Sequence, residues 1–420
     1  MNSKLFLNAK LKGQDGMFDI LVEDGKFKEI APGLSAKHPT AEKFDLEGRL
    51  AIPPYVEPHI HLDYVFTAFN PAAANKTGSL FEGIQRWSET KGSFTTEEIK
   101  DRARLAMKKQ VLTGVQYIRT HVDVTDPKLT ALKAMLELRE EVKDTVTMQI
   151  IAFPQEGMYA YKGGDELVEE ALKMGADVVG GIPHFEYTRE NGERSVKKTV
   201  ELALKYNRLI DVHCDETDDE QSRFLEVLAN EAYMNGIGER TTASHTCAMH
   251  SYNNAYAYKL MKLLGLSKLN FISCPTENTH LQGRFDSYPK RRGVTRVKEL
   301  NDAGINVCFA QDSMSDPWYP IGSGNLMNIL DNGVHVCQTM SFPELWNALD
   351  FITVNGAKTL NIQDSYGIEV GKAANFLVLN AKNEFEALVD RVSVADSVRD
   401  GEFLFRRAPE VISTSNLLLK

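Results

Sequence analysis

Eight short apolar runs, each followed by a stretch with helical character, set the tightest limit on how this chain can fold. They are Leu50-Ala-Ile, Val115-Gln-Tyr-Ile, Val146-Thr-Met-Gln-Ile-Ile, Asp177-Val-Val-Gly, Leu209-Ile-Asp-Val, Thr241-Thr-Ala-Ser, Asn270-Phe-Ile-Ser and Asn306-Val-Cys-Phe. Between them, Leu167, Val168, Ala171 and Leu172 fall on one face of a 3.6-residue period. Thr96-Glu-Glu-Ile-Lys has the character of a capping box opening a long helix. A strand–helix unit repeated eight times predicts an α/β chain closed into a (β/α)8 TIM-like barrel. A doubly wound sheet, which requires no particular strand count, is the structural alternative.

The two ends of the chain read differently. Phe18-Asp-Ile-Leu-Val-Glu-Asp-Gly-Lys-Phe, with Asp24-Gly25 at the turn, predicts a hairpin, and Val398-Arg-Asp-Gly-Glu-Phe-Leu-Phe predicts another. Asn375-Phe-Leu-Val-Leu is a further strand. A length of 420 residues suits a large barrel with an appendage. The reading is therefore a barrel over residues 53–364 and a small β domain assembled from residues 1–52 and 365–420. Two unrelated β appendages are the other possibility.

The residues just after each run carry the chemistry. The first run ends in Glu57-Pro-His-Ile-His-Leu-Asp63, the second in Arg119-Thr-His-Val-Asp123, the third in Phe153-Pro-Gln-Glu156 and the fourth in Ile182-Pro-His184. The fifth ends in Val212-His-Cys-Asp-Glu216, the sixth in Ser244-His245 and the eighth in Ala310-Gln-Asp312. Parallel barrels place their active sites at this C-terminal edge. His59 and His61 are two apart on a strand, so both imidazoles face one way and can share an ion. Joined by His213 and Asp312 from other strand ends, they form a candidate set of ligands for one divalent metal, Zn(II) or Fe(II), with water completing the shell.

A metal of this kind lowers the pKa of its water toward neutrality. The proton traffic then needs carriers. Glu216, just past the fifth strand, is placed to protonate a ring nitrogen. His245 is placed to orient the attacking oxygen and stabilise developing charge. Asp312 is placed to pass a proton to the leaving group. Alone, His213 reads equally well as a satisfied core histidine, and Glu216 as one solvated charge beside Asp215, Asp218 and Asp219. His121, His184 and Asp63 are either supports for the ligands or partners for backbone groups. His38, His250, His280 and His335 are not expected to be ligands.

Composition removes other classes. The net charge of -10 argues against a nucleic-acid polymer as partner, but not against a single base. Hydrophobic residues at 43% provide for a large core. The five cysteines are odd in number and unpaired in pattern, which reads as reduced thiols in a cytoplasmic protein. The start, MNSKLFLNAKLKGQDG, lacks the charge-then-apolar pattern of a secretory signal. No apolar run approaches the ~18 residues of a membrane span. The Pro-Cys-x-x-Cys signature of the unrelated zinc deaminase fold is absent.

VEPHIHLD, RTHVDV, AFPQEG, GADVVGGIPHFEYTRE, IDVHCDETDDEQSRF, ASHTCAMHSYNNAY, HLQGRFDSYPKRRG and DPWYP together resemble bacterial cytosine deaminases of the amidohydrolase superfamily, over nearly the whole chain. The resemblance implies a distorted barrel of the amidohydrolase type with one iron or zinc ion, water addition at C4 of a pyrimidine, and release of ammonia. It implies that His59, His61, His213 and Asp312 are the ligands and that Glu216 and His245 are the acid–base pair. Gln155 is implied as the amide that pairs with the carbonyl and ring N–H edge of the substrate, and Trp318 as an apolar wall. It also suggests a homo-oligomer, and no carbamylated lysine.

The chain departs from its relatives where the base would sit. Typical members read His-Asp-Asp after the eighth strand; this chain reads Gln311-Asp312-Ser313. Cys274-Pro-Thr-Glu-Asn likewise replaces an apolar Asn-Pro-Leu-Val-Asn run. Ser313 opens space and removes a carboxylate beside the C4–C5 edge of the ring. The expectation is deamination of 5-methylcytosine to thymine, with cytosine and 5-fluorocytosine also accepted. The competing readings are a plain cytosine deaminase, a deaminase of isocytosine or isoguanine, and a barrel that binds without catalysing.

Overall fold

A computed structural model describes residues 3–409. They fall into two compact units, residues 55–364 and residues 3–54 with 365–409.

The larger unit carries eight strands in sequence order: β1 (Tyr55–Ile60), β2 (Val115–Asp123), β3 (Thr147–Phe153), β4 (Val178–Gly181), β5 (Leu209–Cys214), β6 (Thr241–His245), β7 (Asn270–Ser273) and β8 (Val307–Phe309). Each pairs in parallel with the next. The ring closes between β1 and the residues after β8. Asp312 N–H donates to the His59 carbonyl at 2.9 Å, and His61 N–H donates to the Asp312 carbonyl at 3.2 Å. The doubly wound alternative is thereby ruled out, because such a sheet would leave β1 and β8 without a shared bridge. The seam that closes the barrel is made by the backbone of three candidate metal ligands.

A buried guanidinium crosses the interior below that edge. Arg119 of β2 donates to Asp211 of β5 at 3.2 Å, to Gln149 of β3 at 2.9 Å and to the Thr359 carbonyl at 2.8 Å. Neither Arg119 nor Asp211 is exposed. Each strand is buried along nearly its whole length, as expected where helices cover the outer face of a parallel sheet.

Helix α1 (Leu80–Thr90) follows β1 and helix α2 (Thr96–Val111) follows α1. The capping box at α2 is real but begins one residue earlier than the sequence pattern predicts. Thr95 is the cap, and Glu98 returns the bond to the Thr95 backbone.

The smaller unit is a sheet ordered Glu402–Arg406, Val394–Arg399, Phe376–Leu379, Leu50–Ile52, Ser3–Leu11, Phe18–Glu23 and Lys26–Ala31. Both Asp-Gly hairpins are present, at Asp24-Gly25 and Asp400-Gly401. Phe6, Ile20, Val22, Phe27, Phe376 and Val398 form its core. Phe6 meets Phe376 edge to face at 4.9 Å, the arrangement aromatic quadrupoles favour.

Leu50–Ile52 corrects its place at the head of the eight barrel runs, a place at odds with the domain bounds, which leave residues 1–52 to the small β domain. It pairs instead with Ser3–Leu11 and Phe376–Leu379. The cause is Pro53-Pro54, which offers no backbone N–H and so cannot carry one ladder into the next. The first barrel strand starts afresh at Tyr55. No helix among the described residues is long and apolar enough to cross a membrane.

Candidate active site

The strand ends deliver side chains to one point. His59 lies on β1, and His61 follows it on the same face. His213 comes from β5, His245 ends β6, and Asp312 sits three residues past β8. The Nε2 atoms of His59 and His61 are each 3.4 Å from Asp312 Oδ1. His61 Nε2 faces His213 Nε2 at 3.2 Å. His245 and Asp312 both hold left-handed backbones, with φ of 66° and 67°. A non-glycine residue there costs on the order of 1–3 kcal/mol. The strain turns both side chains off the strand ends and into the mouth of the barrel.

These groups fit a divalent cation. Burial, aided by the neighbouring imidazoles, keeps His61 and His213 well below the usual imidazole range. They are therefore neutral, with lone pairs available. Burial resists ionisation of Asp312, but His59, His245 and His61 hold its carboxyl below the usual range. The buried Nε2 of His59 has no hydrogen-bond partner. Three imidazoles and one carboxylate converging on one point are the donor set of a borderline metal ion.

Supports stand behind the set. His59 Nδ1 lies 3.0 Å from Ser244 Oγ and 3.0 Å from His121 Nε2. Ser244 donates to Asp211 at 2.6 Å. Of its two expected roles, His121 therefore takes the supporting one. Asp63 accepts the Asp123 N–H at 2.9 Å. Both ring nitrogens of His184 are buried without a partner. His38, His280 and His335 are engaged elsewhere, with Glu29, Arg284 and the Asp331 carbonyl. Cys274 comes close to His59, His245 and Asp312, but burial raises its thiol well above the ordinary range. It packs as a small neutral side chain.

Glu216 sits two residues past β5 and is 3% exposed. Its Oε1 is 3.5 Å from His245 Nδ1. Asn278 Nδ2 donates to Glu216 at 3.2 Å and lies 3.3 Å from His245 Nδ1. Burial, and then the charge of Asp312, push the Glu216 carboxyl well above its usual value. Burial pushes His245 down to about 3. The pair is thus a carboxylic acid beside a neutral imidazole.

A small pocket opens onto these groups. Its lining includes Gln155, Glu216, Asp312, Ser313 and Trp318, all singled out from the sequence. The Gln155 carbonyl oxygen is buried with no partner. The Trp318 indole donates to the Leu80 carbonyl at 3.2 Å and packs on Tyr64, which stacks on His61 at 4.6 Å. Gly83 on α1 permits this approach; a Cβ there would lie 2.4 Å from the indole nitrogen.

Sequence reasoning missed Tyr64, Leu80, Ile182, Glu277 and Leu281 among the lining residues, and Asn278 behind them. Only the unusual 274–278 stretch gave any signal. Glu277 also corrects one premise. The change at Ser313 does not clear the pocket of carboxyl groups there, because Glu277 lines the same cavity. Burial, followed by the charges of Asp312, Asp316 and Glu216, raises its pKa well above the usual range.

A profile of the amidohydrolase family matches residues 42–405. The structure of 5-methylcytosine deaminase from Klebsiella pneumoniae liganded with 5-fluorocytosine superposes with a TM-score of 0.95, at 53% identity over 98% of this chain and 99% of that one. The same enzyme liganded with phosphonocytosine gives 0.94 at 52% identity, covering 98% and 100%. N-isopropylammelide isopropyl amidohydrolase from Pseudomonas sp. (strain ADP) is 29% identical over 411 residues, 95% of this chain and 96% of that protein.

Proposed function

The chain belongs to the amidohydrolase family, and from that premise we propose that it deaminates a free cytosine-type base at C4, with 5-methylcytosine as a favoured substrate. The observation that carries the reading is the shared pocket. An amide (Gln155), an acid (Glu216), a carboxylate (Asp312) and a small hydroxyl (Ser313) line one small cavity beside the His/Asp cluster. The 53% identity to an enzyme that binds 5-fluorocytosine supports it.

His59, His61, His213 and Asp312 are the residues that would hold the metal. An iron(II) or zinc(II) ion there supplies a water of near-neutral pKa and polarises the reacting centre. Gln155 binds the C2 carbonyl and N1–H edge, since an amide offers both a donor and an acceptor. That places N3 at Glu216 and the C4–C5 edge at Asp312 and Ser313. Glu216, protonated, delivers its proton to N3 as oxygen adds to C4. His245, neutral, orients that oxygen through the ring nitrogen not turned to Glu216. Asp312 takes a proton from the attacking water and returns it to the exocyclic nitrogen. The C4–N bond then breaks and ammonia leaves, while the proton remaining on the C4 oxygen passes through His245 back to Glu216, leaving the C4 carbonyl and restoring the acid.

Trp318, Leu281 and Tyr64 give the ring apolar walls, and Ser313 leaves room at C5. Burying a methyl group there contributes about 0.8 kcal/mol. The test is steady-state kinetics on cytosine and 5-methylcytosine with the metal-loaded enzyme. Comparable or higher kcat/KM for the methylated base is expected, and Ser313→Asp should lower that value selectively. A kcat/KM for 5-methylcytosine about a hundredfold below that for cytosine, far beyond what one methyl group decides, would overturn the preference.

A further inference from the structure

The recess beside C5 is small but not apolar. Glu277, on the short helix Pro275–Leu281, is 1% exposed and lines the same pocket as Ser313. Its Oε2 is buried with no hydrogen-bond partner. Asp316, wholly buried just beyond, also has an unpartnered oxygen, Oδ2, while its Oδ1 accepts the N–H groups of Trp318 and Tyr319. The Ser313 hydroxyl is a hydrogen-bonding neighbour of both carboxyl groups. Glu277 Oε2 is already shut off from solvent, and a methyl group entering this recess leaves it without a partner. A C5 substituent carrying an O–H fills the same space and donates to it. A pocket whose polar atoms await a substrate hydroxyl selects for that hydroxyl, because the analogue without it leaves them unpaired.

We propose that the protein also deaminates cytosines whose C5 substituent bears a hydroxyl group, with 5-hydroxymethylcytosine as the simplest member and Glu277 as the residue that accepts the substrate O–H. The bond changes are those of the unsubstituted base. The C4–N bond breaks, a C4–O bond forms from water, ammonia departs, and the hydroxymethyl group is unchanged, so no oxidant or reductant is required. This inference rests on the orientation given above, in which the C4–C5 edge faces Ser313.

The experiment measures kcat/KM of the metal-loaded enzyme for cytosine, 5-methylcytosine and 5-hydroxymethylcytosine by ammonia release. For the wild type, the hydroxymethylated base should match or exceed the methylated one. Glu277→Leu should lower the ratio of hydroxymethylated to methylated activity by about tenfold or more, the scale of one lost hydrogen bond in a specificity pocket. Glu277→Gln retains a carbonyl acceptor and should keep the ratio within about threefold of the wild type. A wild-type ratio below about one tenth would overturn the inference without any variant, so it stays testable even if Glu277→Leu does not fold. An equal loss on both bases in Glu277→Leu would overturn it too, since Glu277 would then serve the amino group common to both. Silence of the wild type toward all three bases would bring down the substrate reading itself, an outcome distinct from normal turnover of cytosine with rejection of the hydroxymethyl group.

Discussion

Glu216 illustrates how burial prepares a residue for its task. A carboxyl in water is ionised at neutral pH and cannot donate a proton. Here it is enclosed beside Asp312, and both influences favour the protonated form. Asn278 fixes its orientation relative to His245. Glu216→Gln preserves shape and the contact with Asn278 but removes the transferable proton. It should lower kcat by about 10²–10⁴, the usual contribution of a positioned acid, while leaving the metal content unchanged, because the proposed mechanism puts Glu216 in the proton-carrying pair and not in the candidate ligand set. Metal analysis alongside turnover separates the two. Loss of the metal together with activity would mean that Glu216 holds the site together instead of carrying its proton.

Among the elements, β2, β5 and β6 are tied to the site by a buried chain of polar contacts running from Arg119 to Asp211, Ser244 and His59. Burial alone lowers the pKa of Arg119 and raises that of Asp211, so each ion is tolerable only because the other is present. Arg119→Met should destabilise the protein by about 3–5 kcal/mol, the effect of stranding one buried charge. It should also weaken metal binding by roughly 10–100-fold, because Asp211, which anchors the Ser244 hydroxyl beside His59, loses its counterion. Denaturant unfolding and metal titration measure the two effects; the double variant Arg119→Met/Asp211→Leu should recover part of the stability. A single-variant loss below about 1 kcal/mol would contradict this account. The same elements show what the sequence could and could not reveal. The barrel was legible because a parallel strand buried on both faces must be apolar, and because its end must turn, exposing His and Asp at a constant position. Leu50–Ile52 was counted among the barrel runs because three apolar residues look alike in any sheet; the break was encoded in Pro53-Pro54, where the domain bounds put it. Leu80, Tyr64 and Glu277 escaped because they reach the pocket from a helix start, a loop and a short helix, where no periodicity marks an inward side chain.

At the scale of the molecule, the eight strands are held in a ring at two levels. Backbone bridges between His59, His61 and Asp312 join the first strand to the segment after the last. The imidazoles and carboxylate of those same residues converge with His213, from the opposite part of the ring. An ion shared by these four groups therefore spans the closure seam and β5 at once. Without it, three imidazoles and a carboxylate remain buried against one another with no cation between them. A ligand that binds only the folded state adds RT ln(1 + [L]/Kd), about 4 kcal/mol at a thousandfold excess over Kd. Chelation should accordingly abolish ammonia release and lower the unfolding temperature. One equivalent of zinc(II) or iron(II) should restore both, whereas magnesium(II), which prefers oxygen ligands in an octahedral shell, should restore neither. If chelation removed activity yet left the unfolding temperature unchanged, the ion would be serving the chemistry without bracing the seam, and the closure of the barrel would rest on its backbone bridges alone.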